Sequence, residues 1–448
     1  MVVVAAAAQP MSLTSVTQAV LQALRRRGGV ASALELQADL RVSQPTVSRA
    51  LAPLLQAGEV RKVGAARSQR YVLPRRVPGL GATVPIRRID AQGQSSLFGH
   101  LTPLQSGAVW VDEVYGPKHT GKRHGGLPWF LSDMRPQGFM GRTFAAAHPA
   151  LQLGANPDRW SDDEVLRALS LYGDDLPGNL VVGEAALERF HTLAQRASRV
   201  ESAAQYPALA DAAMQGTLPG SSAGGEQPKF CTCAAGRHVI VKFSPADDTP
   251  LAQRTRDLLV CEHLALKTLR AAGLPAAITQ IVMAAGRVFL ESERFDRTAQ
   301  GRVGMVSLSI YDAEYVGQED NWAATASRME EAGLILPQDA CTLRLLEAYG
   351  VLIANTDRHY GNISLLLAGD DWVLSPTYDM LPMLYAPVAG ELVPRVLAVR
   401  APQPTAATLA EWPRAVALAQ AFWATVAADT RVSGGFRAIA AQHLAVTP

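Results

Sequence analysis

The order in which polar elements follow one another between residues 221 and 379 constrains this chain more than any bulk property. First comes a small-residue loop, Ser221-Ser222-Ala223-Gly224-Gly225-Glu226-Gln227-Pro228-Lys229-Phe230. Loops without bulky side chains let backbone N–H groups approach an anion, and a lysine adds a point charge. Phe230 to Cys233 and His238 to Phe243 read as paired strands around Ala234-Ala235-Gly236, which sets Lys242 in an apolar strand. A lysine buried there needs an anion, whereas on an edge strand it is only surface. Glu262, in the helical stretch Leu258 to Leu274, is its candidate partner.

Further on, Val288-Phe289-Leu290 runs into the charged connector Glu291-Ser292-Glu293-Arg294-Phe295-Asp296-Arg297, a segment suited to hinge two lobes and to offer backbone groups to an adenine. The most specific signal is Asn355-Thr356-Asp357-Arg358-His359-Tyr360-Gly361-Asn362, followed by an apolar run from Ile363 to Leu367. An aspartate with an asparagine five positions later matches the spacing that puts a base beside a metal-binding amide in phosphoryl-transfer loops. Trp372 to Asp379 then ends a strand on a carboxylate, where a magnesium ligand belongs, because that ion prefers oxygen donors. The loop is neither a Walker motif nor the glycine pattern of ordinary kinases.

In that order the elements resemble the HipA family of toxin serine/threonine protein kinases over residues from about 84 to 445. Ser222, Gly225, Gln227 and Lys229 fit its phosphate loop, Glu293 to Arg297 its hinge, Asn355, Asp357, His359 and Asn362 its catalytic loop, and Tyr378-Asp379 its metal site. The resemblance implies an α+β, two-lobed protein-kinase-like body that uses ATP and Mg2+. Lys242 would bind ATP with Glu262 as its pair, Asp357 would be the catalytic aspartate, and Asn362 and Asp379 would hold magnesium. Glu293 and Phe295 would meet adenine through their backbone, and Ser222 would be phosphorylated by the kinase itself, with Ser221 the alternative. It also implies a protein substrate such as an aminoacyl-tRNA synthetase or another translation factor. The stretches Trp129 to Pro136 and Gly173 to Gly178 resemble small-lobe elements of the same family.

The first 76 residues depart from that pattern. Val16, Val20, Leu21 and Leu24 recur at helical spacing up to Gly28-Gly29, and Ser32 followed by Glu35 is a capping box for a second helix. Ser43 and Pro45 open a third with Val47, Leu51 and Leu54 as its buried face, although Pro53 is expected to kink or shorten it. Val60 to Val63 and Gln69 to Leu73 form a hairpin, completing the order of a winged helix-turn-helix domain. In that class the third helix enters the major groove. Gln44, Thr46 and Arg49 would then face base edges, and Arg67 and Arg70 phosphates.

Charge separates the two regions. Residues 11–75 hold ten Lys/Arg against three acids, a net +7, while the rest of the chain carries −5. That favours double-stranded DNA as a partner of the head, the alternative being a head used only for protein contacts.

With 448 residues, several domains are expected at about 100–200 residues each. They are read as a disordered tail at 1–10, the winged head at 11–76, an N-terminal lobe at 84–300 and a mostly helical C-terminal lobe at 301–448. The opening Met1 to Ala8 lacks the basic start of a secretion signal, and no stretch reaches the roughly 20 apolar residues of a membrane span, so the expected location is cytoplasmic. Cys231 and Cys233 lack the usual zinc spacing and read as structural thiols rather than a metal or redox pair. A fused head puts in question the separate antitoxin that restrains typical family members, and a homodimer would match a palindromic operator. Two other readings remain open: a transcription regulator whose kinase-like body senses nucleotide without phosphorylating a partner, and a DNA-acting metal hydrolase.

Overall fold

The computed structural model describes residues 13–64, 69–114, 120–193, 199–216, 225–395 and 402–447. The expected tail at 1–10, Arg67, Ser221 and Ser222 lie outside the described residues.

Three helices, Leu13–Arg26, Ala33–Leu40 and Gln44–Gln56, form the head with strands β1 (Val30–Ala31), β2 (Arg61–Val63) and β3 (Arg70–Val72) in the order β1-β3-β2. The capping box at Ser32 is made in full: the Glu35 N–H donates to Ser32 Oγ at 3.2 Å and the Ser32 N–H to Glu35 Oε2 at 2.7 Å. The third helix runs on through Pro53 to Gln56, with the missing N–H falling in its last turn. Alternation along β3 divides its neighbours. Tyr71 joins Val20, Leu24, Leu51 and Leu54 in the head's own core, while Val72 and Val63 face outward onto Leu104, Ala108 and Trp110 of the next domain. Arg75 fastens this junction by donating to the carbonyls of Leu104 (2.6 Å) and Ala108 (2.8 Å) and to the Asp163 carboxylate.

The range 84–300 holds two separate sheets. The first joins β4 (Val84–Ile89), β5 (Ser95–Pro103), β6 (Val109–Glu113), β7 (Thr120–His124) and β8 (Leu180–Val182) in the antiparallel order β7-β6-β5-β4-β8. Its apolar face packs with Leu131, Phe144, Trp160, Leu166 and Leu169 from covering helices, so this middle domain has its own core. The second sheet joins β9 (Arg199–Val200), β10 (Lys229–Ala234), β11 (Arg237–Phe243), β12 (Thr279–Ala284) and β13 (Arg287–Glu293) in the order β12-β13-β11-β10-β9. Phe230, Phe243, Phe289 and Tyr206 fill one side of it. The helix Pro250–Ala271 packs on the other and belongs to one large core with the helices that follow, through Leu346, Tyr349, Phe422, Trp423 and Phe436.

The C-terminal lobe adds β14 (Met305–Ser307), β15 (Ser364–Ala368) and β16 (Asp371–Leu374) to the helices Leu308–Tyr315, Trp322–Glu331, Pro337–Leu352, Trp412–Ala428 and Gly434–Val446. The last two helices complete this lobe's core. All four cysteines are free thiols. No described helix is long and apolar enough to cross a membrane.

Two stretches singled out in the sequence join the middle domain to the kinase-like body. The Asp133 carboxylate accepts from the Ser307 N–H (2.6 Å) and hydroxyl (2.7 Å), at the start of the Leu308–Tyr315 helix. The Gly178 N–H donates to Asp296 at 3.0 Å, and Arg297 donates to Asp175 at 2.9 Å and to the Leu176 carbonyl at 2.7 Å.

Candidate nucleotide and catalytic site

Antiparallel pairing of β10 with β11 sets Lys229 opposite Lys242, so both side chains emerge on one face of the sheet. The Pro250–Ala271 helix presents Glu262 to that face. Lys242 Nζ lies 2.8 and 2.9 Å from the Glu262 carboxylate oxygens and also contacts Asp379, which follows β16 in a left-handed backbone conformation at φ +52°. Burial works against the Lys242 charge, but the Asp379 and Glu262 carboxylates outweigh it and hold the ammonium above the ordinary lysine range. Burial raises Glu262 to about 7 against the pull of Lys242. Partial burial works against the Asp379 charge, yet Lys242 and Lys229 hold it below the ordinary aspartate value. Lys229, only 4% exposed, is lowered by burial despite Asp379.

Gly225 stands over this cluster at φ +91°, so close that a Cβ there would lie 3.0 Å from Lys229 Nζ. The Gln227 side chain donates to the Phe243 carbonyl at 3.0 Å, tying the loop's end to the end of β11. In the Glu291–Arg297 connector, the Glu293 N–H donates to the Ile278 carbonyl at 2.9 Å, and the Phe295 ring lies 5.6 Å from that of Tyr378.

The residues expected to form the catalytic loop lie in the segment between Pro337–Leu352 and β15. Asn355, fully buried, accepts the Asp357 N–H on Oδ1 at 3.0 Å, and Asn362 donates its side-chain N–H to the Asp357 carbonyl at 2.8 Å. These two asparagines fix the backbone on either side of an Asp357 carboxylate that stays about half exposed. His359 Nε2 is 3.8 Å from that carboxylate, and its Nδ1 accepts the Gly361 N–H at 3.0 Å. Asp357, His359, Thr356, Glu319 and Asp320 line an open cavity of about 320 Å³. Tyr378 joins this loop to the lysine cluster, since its hydroxyl donates to the Gly361 carbonyl at 2.9 Å while Asp379 follows directly in the chain.

Sequence reasoning missed the supports of the loop. Arg358 pairs with buried Glu347 at 3.0 Å, and Trp322 Nε1 donates to the His359 carbonyl at 3.2 Å. Nothing local in the sequence signals either contact. The head residues Gln44, Thr46 and Arg49 lie on the Gln44–Gln56 helix, Gln44 and Arg49 exposed and Thr46 half-buried, and Arg70 lies half-buried on β3.

A two-lobed body with paired strand lysines, a helix glutamate, an Asp-x-x-x-x-Asn loop and a terminal aspartate is of the HipA kinase-like class. Residues 221–441 match the family model described as HipA-like C-terminal domain, and residues 80–191 the one described as YjjJ-like toxin, middle domain. The chain is 37% identical over 424 residues to toxin YjjJ of Escherichia coli K12, an alignment spanning 92% of this chain and 94% of that protein. Among solved structures it resembles a chain of the Shewanella oneidensis MR-1 toxin–antitoxin complex of HipA, HipB and operator DNA, with TM-score 0.52, 15% identity, and coverage of 81% of this chain and 96% of that one. At that identity the likeness speaks to the fold alone. The protein belongs to the HipA family of toxin kinases and, within it, to the YjjJ-like toxins.

Proposed function

We propose that this protein is an ATP- and magnesium-dependent serine/threonine protein kinase of the toxin type, with a winged helix-turn-helix head that binds operator DNA. The observation that carries the reading is the quartet of buried Lys229 and Glu262 with partly buried Lys242 and Asp379. Two ammonium groups directly opposite each other repel, and an arrangement of that kind is suited to a multiply charged anion such as a triphosphate.

Asn362 and Asp379 fit a magnesium ion. The Asn362 amide nitrogen is committed to the Asp357 carbonyl, which leaves the amide oxygen as the donor, and Asp379 supplies a carboxylate. When bound, the ion neutralises charge on the phosphate oxygens. Glu262 holds Lys242 in place for the α- and β-phosphates. Because the Glu293 N–H is taken by Ile278, its carbonyl and the Phe295 backbone are what remain for adenine. Asp357 takes the proton from the substrate hydroxyl as that oxygen bonds to the γ-phosphorus and ADP leaves. Its half-exposed carboxylate and the open cavity beside it suit a protein substrate, such as an aminoacyl-tRNA synthetase or other translation factor. His359, beside Asp357, orients that carboxylate.

Ser222 is the proposed site of self-phosphorylation. A phosphate there adds about −1.5 to −2 charges in the loop meant for ATP and would switch the kinase off. In the head, Gln44, Thr46 and Arg49 read bases while Arg67 and Arg70 hold phosphates, in a cytoplasmic protein that dimerises on its operator and is restrained by an antitoxin or by its own head.

Calorimetric titration of ATP with and without magnesium tests the nucleotide site. Binding should require both the ion and Asp379, so Asp379→Ala abolishes magnesium-dependent affinity. Unchanged affinity in that variant would remove Asp379 from the metal site.

A further inference from the structure

The end of the phosphate loop is held from outside the kinase body. Gly138 opens the middle-domain helix Gly138–Ala147 at φ +58°, and packs so closely on the loop that a Cβ there would lie 2.5 Å from the Gly225 carbonyl oxygen. The Phe139 N–H, one of the first-turn donors a helix leaves without an internal partner, donates to that same oxygen at 3.1 Å. The Phe139 side chain packs on the cluster of Phe230, Phe243 and Phe289 beneath β10 and β11. One turn later Arg142 pairs with Glu226 at 2.6 Å. Backbone, ring and charge from one helix thus converge on Gly225-Glu226, and Gly225 in turn abuts Lys229.

We propose that this helix is a positioning element of the nucleotide site: Gly138 and Arg142 fix the Gly225–Gln227 edge over Lys229, so the middle domain sets the affinity for the ATP phosphates. The inference rests on the kinase reading above. Neither residue is proposed to touch nucleotide. A purely structural role is a poor fit for Arg142–Glu226, because the two side chains are 48% and 74% exposed and pairs so exposed contribute little to folding. Gly138 has no slack: a methyl group there must displace the Gly225 backbone, in a conformation that already favours glycine.

The test titrates Mg·ATP, and separately adenosine, into the full-length wild type, Gly138→Ala, Arg142→Glu and the charge swap Arg142→Glu/Glu226→Arg, with melting curves on the same samples. Gly138→Ala should weaken ATP about tenfold, the ratio that roughly 1.4 kcal/mol makes. Arg142→Glu should weaken it about two- to fivefold, and the swap should restore it. Adenosine affinity should stay near wild type in all variants, and melting should stay near wild type in the two Arg142 variants, while Gly138→Ala, strained at its positive φ, should melt lower. If the wild type binds ATP and Arg142→Glu binds it equally well, or the swap restores nothing, the positioning role is overturned and the kinase reading stands. If the wild type binds no ATP, the kinase reading falls and takes this inference with it. Should Gly138→Ala not fold, the Arg142 pair decides alone.

Discussion

Lys229 and Lys242 face each other across the β10–β11 pair, one buried and one partly buried ammonium group in direct cross-strand register. Like charges so placed destabilise a sheet unless something answers them. Here Glu262 and Asp379 do so within the chain, and the proposed phosphates would do so in the complex.

The lysines should therefore differ in their effects. Lys242→Met leaves Glu262 and Asp379 without their shared partner, and breaking a buried pair from one side costs about 3–5 kcal/mol. That variant should lose both stability and ATP binding. Lys229→Met removes a charge that burial disfavours by more than Asp379 repays, so it should lose ATP affinity while melting at or above the wild-type temperature. Calorimetry and melting on both variants check this; a Lys229→Met protein that binds ATP normally contradicts it.

Duplex binding by the head should fall steeply as salt rises, because phosphate neutralisation releases counterions. With the full chain, Arg49→Ala should relax sequence choice, and Arg70→Ala should weaken binding to all duplexes alike. Anisotropy titrations at several salt concentrations read both effects. Absence of duplex binding at low salt would favour a head used for protein contacts.

Stability should fall on acidification. Burial lowers His148, His263 and His443 to about 4, from the ordinary histidine value of 6.5. The unfolded chain therefore takes up these protons first, so the contribution is intact above about 6.5 and is lost as pH falls towards 4. The His443 ring, stacked on Trp423 and hydrogen-bonded to Tyr385 at 2.6 Å, has little room to hydrate a charge. Melting temperatures between pH 4 and 6.5 should drop less steeply in a His148→Gln/His263→Gln/His443→Gln variant. An unchanged slope would exclude these histidines.

The meeting of Lys242 with Glu262 was legible in the sequence because each sits in an element whose periodicity is strong: an apolar strand and a long helix. The capping box at Ser32 was legible for the same reason, being complete within four residues. β1 was not, since two residues between Gly28-Gly29 and Ser32 carry no period and are extended only because β3 pairs with them. The middle domain's role was hidden as well. Asp133 meets Ser307 across 174 positions, Arg297 meets Asp175 across 122, and Arg142 meets Glu226 across 84. No local pattern announces such pairs, and the folded chain alone brings them together.

Phosphoryl transfer itself is the most direct test. Purified protein should be incubated with magnesium and γ-labelled ATP, alone and with a cytosolic protein fraction, beside Asp357→Asn, followed by peptide mapping of every labelled species. The wild type should place phosphate on Ser or Thr side chains, Ser222 among them. Asp357→Asn should bind ATP with near wild-type affinity and transfer nothing, because the carboxylate acts on the attacking hydroxyl and not on the nucleotide. ATP binding by the wild type without any transfer would contradict the kinase assignment and leave a nucleotide-sensing regulator in its place; transfer by Asp357→Asn at the wild-type rate would remove Asp357 from the mechanism.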